Sequence, residues 1–342
     1  MSDSRSPIRA WAAHEATQAL QPYEYDPGPL GAEEVEIAVE HCGICHSDLS
    51  MLDNEWGMSL YPLVPGHEAV GRIVAVGEQV NGLQLGQRVG VGWYAGSCMH
   101  CRSCISGEQH LCANVQATIV DHHGGFAERL RSHWLWAIPL PEGLEASAAG
   151  PLLCGGITVF SPLLHLDIKP VHRAGVVGIG GLGHMAVKFL HAWGCEVTAF
   201  TSSESKYEEA KALGAHRVAS SRDTASIEAL AGSLDLLLVT VNVPLDWPAL
   251  LDTLAPQGQM HIVGAVLEPI PVAAFGLIPG QKSISGSPTG PPAAIATMLD
   301  FAARHHIAPQ IERFPMSQVN AALDHLRAGK AHYRIVLDAD FA

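Results

Sequence analysis

Positive charge is scarce in this chain. Its 342 residues carry 20 Lys and Arg against 34 Asp and Glu, a formal net charge of −14. Such a balance repels phosphate backbones and anionic lipid, which argues against nucleic acid and membrane surfaces as partners. Long apolar runs are also missing: no window approaches the roughly 20 apolar residues of a membrane span. The opening MSDSRSPIRAWAAHEATQAL has neither an apolar h-region nor a cleavage pattern, so a cytoplasmic location is expected. There is no low-complexity tract. What remains is the composition of an ordinary globular protein, 48% hydrophobic and 16% charged, in a length that suits two domains.

Cysteine is where the chain is unusual. Four of its eight cysteines fall in GSCMHCRSCISGEQHLC, at Cys98, Cys101, Cys104 and Cys112. In a reducing compartment disulfides are not expected. Thiolates at this spacing suit one Zn²⁺ held tetrahedrally, and four cysteines close its shell, so the site is expected to be structural. Arg102 is the only fixed cation of the segment, which argues against a nucleic-acid finger. The chemistry is therefore sought elsewhere.

Three further stretches offer soft ligands beside glycines: HCGICHSDLSMLDNEWG, PLVPGHEAVGRIVAVGEQV and GPLLCGGITVF. Cys45, His67 and Cys154 would form a Cys₂His set, a catalytic zinc shell with its fourth position open. Spacing alone leaves other choices among the 19 histidines. Cys42 and Cys195 fall outside both sets and read as small buried hydrophobes.

The segment AGVVGIGGLG runs from a short apolar strand into a glycine loop and then the helix HMAVKFLHAWG. Gly178 permits the tight turn, Gly180 lets a pyrophosphate approach, and Gly183 lets helix and strand pack closely. Gly181 and Leu182 complete the loop, and the helix N-terminus presents free N–H groups to phosphate. The next strand, EVTAF, lacks the terminal Asp or Glu that holds the ribose of NAD. It runs instead into Thr201, Ser202 and Ser203, with Lys206 close behind, which favours the 2′-phosphate of NADP(H). Glu204 is the nearest carboxylate, and a serine N-cap for the following helix is compatible with either cofactor.

Together GHEAVGRIVAVGEQV, the four-cysteine segment, CGICHSD and PLLCGGITV resemble, in order and spacing, the zinc alcohol dehydrogenases of the medium-chain dehydrogenase/reductase superfamily. CHSDLSMLDNEWG, YPLVPGHE and PLLCGGITVFSPL are most similar to its cinnamyl alcohol dehydrogenase-like branch, particularly the bacterial broad-range aldehyde reductases. The resemblance runs from about Tyr25 to AHYRIVLD. It implies an α/β protein: a GroES-like irregular β-barrel catalytic domain over 1–146 and 284–342, with the zinc lobe at 96–112, and an inserted Rossmann domain over 147–283. It also implies a cleft between the domains and a homodimer, for which 268–287 would supply an edge. The strand–helix alternation after Ser147 independently reads as a doubly wound parallel sheet, and SISGSPTGPP reads as a turn.

By the same resemblance, Cys45, His67 and Cys154 ligate catalytic zinc, Glu68 lies beside it, and Asp48 orients His67 through its second ring nitrogen. Ser47 hydrogen-bonds the reacting oxygen and starts a proton relay. Thr158 lies near the nicotinamide and His46 near the cofactor's phosphates or ribose. Val263, Gly264, Ser285, Ser287 and Arg334 are also assigned to the cofactor. Many relatives carry His five residues after the first ligand as the relay's outer end, where this chain has Ser50. A serine cannot hold a proton near neutral pH as His can, so an exit through Ser50 and water is expected, with Ser50→Ala nearly silent. Trp56, Met58, Leu60 and Trp93 offer an apolar wall for an aromatic or medium-chain aldehyde. The expected activity is NADPH-dependent reduction of such aldehydes, or the reverse oxidation of primary alcohols. A polyol or formaldehyde dehydrogenase and a non-catalytic NADPH-binding redox sensor are the alternatives.

Overall fold

The computed structural model describes residues 6–341. The chain divides after Ile157 and again after Thr289, giving two compact units. The expected cut before Ser147 falls inside the short helix Ala146–Ala149, whereas the chain leaves the first unit after Ile157, within the longer helix Gly155–His165. Residue 284 likewise falls inside the strand Ser283–Gly286, so the chain changes unit only at Gly290.

The first unit is built on a seven-stranded sheet. Its spine is the long strand Glu34–Ile44, whose sequence EVEIAVEHCGI is mostly buried. It pairs antiparallel with Ala69–Val76, Arg129–His133 and Arg334–Asp338. Register shifts at Glu36/Ile37 and Val39/His41 mark bulges, which bend a strand and sharpen its twist, as a closing barrel requires. A Cβ at Gly71 would lie 2.0 Å from the Ala38 carbonyl oxygen, so the close pass of these strands needs glycine there. Ile8, Val35, Ile37, Phe126 and Ile335 are among the fully buried core residues.

The second unit is a six-stranded, wholly parallel sheet. In chain order its strands are Arg173–Val177, Glu196–Thr201, Arg217–Ser220, Leu234–Val239, Leu254–Ile262 and Ser283–Gly286. In space the first strand lies between the second and the fourth, the strand order 3-2-1-4-5-6 of a dinucleotide-binding sheet. Leu236, Leu237, Leu238 and Val239 are completely buried, as strands covered on both faces must be. The segment SISGSPTGPP is not merely a turn: Ser283–Gly286 pairs with Gln259–Ile262 as the edge strand. Only Ile284 of its side chains is apolar, and it packs against the core of this unit, so the strand carries little apolar pattern.

Candidate metal centre and dinucleotide loop

The spine strand ends at Ile44, and Cys45, in extended conformation, caps the helix His46–Leu52. One buried carboxylate organises the turn. Asp48 accepts from the Cys45 amide at 2.9 Å through Oδ2, and from the Gly66 amide at 2.9 Å through Oδ1. The same Oδ1 lies 3.0 Å from His67 Nδ1, which leaves Nε2 facing the cluster. Gly66 has φ +99°, so the chain reverses there in a conformation that favours glycine. His67 Nε2 lies 3.2 Å from Cys154 Sγ, and Cys154 Sγ donates to Cys45 Sγ at 4.0 Å. The ligand atoms of Cys45, His67, Glu68 and Cys154 all lie within 4.8 Å of one another, and all four residues are buried.

Glu68 is held from behind. Its Oε1 is ion-paired with Arg334, whose Nη1 also donates to Cys45 Sγ at 3.9 Å. Arg334, expected toward the cofactor, is thus 4% exposed and turned onto the metal-type cluster. Glu68 Oε2 is buried with no hydrogen-bond partner. A Cβ at Gly43 would lie 1.9 Å from that atom, so Gly43 leaves the space Glu68 occupies.

The donor set fits a soft divalent cation. Sulfurs about 2.3 Å from one tetrahedral centre lie about 3.8 Å apart, close to the 4.0 Å between Cys154 and Cys45. The hydrogen bond from Cys154 draws Cys45 well below the usual thiol range, and Arg334 and His67 add to it. Donating that bond, together with burial, pushes Cys154 up. Burial presses His67 toward neutrality, but Asp48 and Cys45 outweigh it and raise it. Burial also raises Glu68, against the pull of Arg334. Thiols, Glu68 and Asp48 crowd around a single fixed cation, and the unpartnered Glu68 oxygen shows that acceptors outnumber donors.

The second cluster lies on the loop after the strand Tyr94–Gly96. Cys98 Sγ lies 3.9 Å from Cys104 Sγ and 3.5 Å from Cys112 Sγ, and Cys101 Sγ lies 3.7 Å from Cys112 Sγ. These are edges of a sulfur tetrahedron and far exceed the about 2.0 Å of a disulfide. Hydrogen bonds from the backbone at His100 and Cys101 bring Cys98 down to about 6. Cys42 and Cys195 are buried and belong to neither cluster, and burial raises both thiols.

In the second unit the strand Arg173–Val177 runs into Gly178, at φ +92°, and the loop closes at the helix Gly183–Trp193. A Cβ at Gly183 would lie 1.7 Å from the Gly178 carbonyl oxygen, whereas one at Gly180 meets nothing within 4 Å. The first glycine serves the fold and the second leaves room. Gly181 and Leu182 complete the turn, with Leu182 at the helix N-cap. Thr201 is buried at the end of its strand, while Ser202 is exposed and Ser203 Oγ lies 2.7 Å from Ser205 Oγ. Lys206 Nζ donates to the Ile179 carbonyl at 2.8 Å, which brings a cation to the glycine loop. Glu204 is exposed on the short turn Glu204–Lys206.

The other expected residues have definite places. Val263 and Gly264 both donate to the Val239 carbonyl, at 3.0 and 3.1 Å. Ser285 and Ser287 flank the ring of His261, at 2.8 Å from Nδ1 and 2.9 Å from Nε2. Thr158 is buried on the helix Gly155–His165, and His46 is exposed at the start of its own helix. Ser47 Oγ lies 3.7 Å from Cys45 Sγ. Ser50 is buried and donates to Glu55 Oε2 at 2.7 Å. Trp93 stands edge-on to His67 with ring centres 4.8 Å apart, and Trp56 meets Trp93 at 6.0 Å. Met58 and Leu60 are 44% and 55% exposed. Sequence reasoning missed the bond of Ser50 to Glu55, the place of His261 between Ser285 and Ser287, and the contact of Arg334 with Glu68.

A barrel-type unit with two cysteine-rich ligand clusters, joined to a dinucleotide-type parallel sheet, defines a class of two-unit oxidoreductase. The chain matches the alcohol dehydrogenase GroES-like domain over residues 31–142 and the zinc-binding dehydrogenase model over 181–304. It belongs to the zinc-binding alcohol dehydrogenase family, in its cinnamyl alcohol dehydrogenase-like branch. It is 56% identical to the aldehyde reductase AdhA of Synechocystis sp., over 96% of this chain and 98% of that one. It is 40% identical to the 8-hydroxygeraniol dehydrogenase of Catharanthus roseus, over 97% and 95%. Among solved structures, the cinnamyl alcohol dehydrogenase SbCAD4 of Sorghum bicolor superposes with a TM-score of 0.93 at 39% identity, covering 97% of this chain and 98% of that one. A cinnamyl alcohol dehydrogenase from Helicobacter pylori, solved with NADP(H), gives a TM-score of 0.89 at 30% identity, covering 98% of each chain.

Proposed function

We propose that this protein is a zinc- and NADP(H)-dependent aldehyde reductase, acting reversibly on aromatic or medium-chain aldehydes and the corresponding primary alcohols. The observation that carries the reading is the buried convergence of Cys45, His67 and Cys154 with Glu68 in a chain that also bears the glycine loop. Bound there, zinc would act as a Lewis acid on the carbonyl or alcohol oxygen, and the nicotinamide would supply or accept the hydride.

The chain's own residues do the rest. Cys45, His67 and Cys154 hold the metal, and Asp48 fixes His67 by its Nδ1. Arg334 anchors Glu68 by one oxygen, which leaves the other directed at the cluster. Ser47 Oγ moves the proton of the reacting hydroxyl. Trp93 and Trp56 shield the ligand His67 from water and offer an aromatic face to substrate. Gly180 leaves space for the pyrophosphate, and Ser202, Ser203 and Lys206 receive the 2′-phosphate. His46 and Thr158 contact the cofactor. Cys98, Cys101, Cys104 and Cys112 hold a second, structural zinc.

We read the protein as a cytoplasmic homodimer. Its acidic surface and eight free thiols support the location. The edge strand Ser283–Gly286 supports the dimer, with Phe275 and Ile278, 83% and 65% exposed, near it in sequence. The test is the initial rate of NADPH oxidation with cinnamaldehyde beside the same assay with NADH. Turnover preferring NADPH supports the reading. Preference for NADH overturns the phosphate-site assignment, and silence with both overturns the enzyme.

A further inference from the structure

We infer that His261 is a positioning residue for the nicotinamide half of the dinucleotide, holding the ends of the last two strands of the parallel sheet through Ser285 and Ser287. The inference rests on the dehydrogenase reading above and adds a residue that reading leaves out.

In a sheet of order 3-2-1-4-5-6 a dinucleotide lies across the carboxyl ends of the strands, one half to each side of the first. The glycine loop follows the first strand, Arg173–Val177, and the second ends at Thr201, with Ser202 and Ser203 just beyond. The adenosine half therefore falls to strands one to three and the nicotinamide half to strands four to six. The fifth and sixth strands, Leu254–Ile262 and Ser283–Gly286, make their last ladder pair at Ile262 and Gly286. Val263, Gly264 and Ser287 come directly after it, at the carboxyl edge.

The sheet itself holds this edge weakly. Ser283–Gly286 is four residues long, lies at the end of the sheet and brings one apolar side chain, Ile284, to the core. His261 supplies a second hold. It faces Ser285 across the ladder, and Ser285 and Ser287, two residues apart, turn to the same face. Its Nδ1 lies 2.8 Å from Ser285 Oγ and its Nε2 2.9 Å from Ser287 Oγ. The second bond reaches past the last ladder pair and fixes the first residue of the loop.

The imidazole is completely buried, where an apolar side chain would fill the space without desolvating two nitrogens. A buried polar group with every bond made specifies one geometry. The neutral ring has one N–H and one lone pair, so it donates to one serine and accepts from the other, and both hydroxyls are turned in fixed senses. His165, at the end of the helix Gly155–His165, backs the ring from a second element, with ring centres 5.2 Å apart. Its own Nδ1 lies 2.9 Å from the Ser161 carbonyl oxygen. Hydride transfer depends on such precision, since misplacing a reacting group by about 1 Å costs about 100-fold.

The experiment uses the zinc-loaded full chain and the variants His261→Phe, Ser287→Ala and their combination. His261→Phe keeps a ring and removes both bonds, whereas Ser287→Ala removes only the bond beyond the ladder. NADPH binding is followed by nicotinamide fluorescence, and cinnamaldehyde reduction is run with NADPH and with NADPH deuterated at the transferred position. Binding of adenosine 2′,5′-bisphosphate, which has the adenosine half and no nicotinamide, is followed by calorimetry. Each single variant should weaken NADPH about 5-fold or more. Each should also lower kcat about 10-fold or more and enlarge the deuterium isotope effect. The bisphosphate should bind as it does to wild type. The double variant should lose little beyond His261→Phe, because both changes break the same bond. Wild-type NADPH affinity and kcat in either single variant overturn the inference, as does equal weakening of NADPH and the bisphosphate, which marks a loosened fold. If His261→Phe does not fold, Ser287→Ala decides by the same criteria. If the wild-type protein reduces cinnamaldehyde with neither NADPH nor NADH, the dehydrogenase reading falls and the positioning role with it.

Discussion

Asp48 holds three groups at once, the amides of Cys45 and Gly66 and the ring of His67, and an amide in its place would present a donor where an acceptor is needed. Asp48→Asn should therefore lower the affinity of the Cys45–His67–Cys154 site for zinc by about 10- to 100-fold. Metal analysis after dialysis would show one zinc lost per chain and one kept. Gly43→Ala probes the other wall. Its Cβ would collide with the free Glu68 oxygen, and because that carboxylate is pinned by Arg334 the strain has no cheap release. A loss of about 2 kcal/mol or more in urea unfolding is expected; wild-type stability would show that Glu68 is not held as described. At the relay, Ser50→His should add a titration near pH 6–7 to the rate profile. The ligand set was legible in the sequence because cysteine and histidine beside glycine are rare enough to stand out. Arg334 was not legible as the partner of Glu68, because an arginine 266 positions from a glutamate carries no local signal.

At the scale of elements, the glycine loop separates packing from recognition. Gly183→Ala would drive a methyl into the Gly178 carbonyl and should unsettle the helix Gly183–Trp193, lowering Tm. Gly180→Ala meets nothing in the chain, so Tm should hold while NADPH binding, followed by fluorescence, weakens severalfold. Equal effects of the two on Tm would contradict that division. The strand–helix alternation of this unit was readable because its strands are continuous apolar runs, Leu234–Val239 above all. The edge strand Ser283–Gly286 was not, since SISG has a single apolar residue, Ile284, too few to show a strand period. The same blind spot put a domain boundary at residue 284.

For the whole molecule, one buried histidine sets a pH dependence of stability. His261 is fully buried between Ser285 and Ser287, and burial, reinforced by the nearby His165, brings it down to about 4. In the unfolded chain it titrates near about 6.5. Between these values the unfolded state binds a proton that the folded state refuses, so stability falls as pH drops from about 6.5 toward about 4. Urea midpoints across that window should slope less steeply in His261→Gln than in wild type, and parallel slopes would contradict the assignment. No single helix among the described residues is long and apolar enough to cross a membrane.

Aldehyde reduction should depend on the metal held by Cys45, His67 and Cys154 and not on that of the four-cysteine loop. The measurement is to chelate the protein to one zinc per chain, then follow NADPH oxidation with cinnamaldehyde as zinc is returned. The rate should disappear with the first zinc removed and return in proportion to the zinc restored. A full rate with only the loop zinc in place would contradict it.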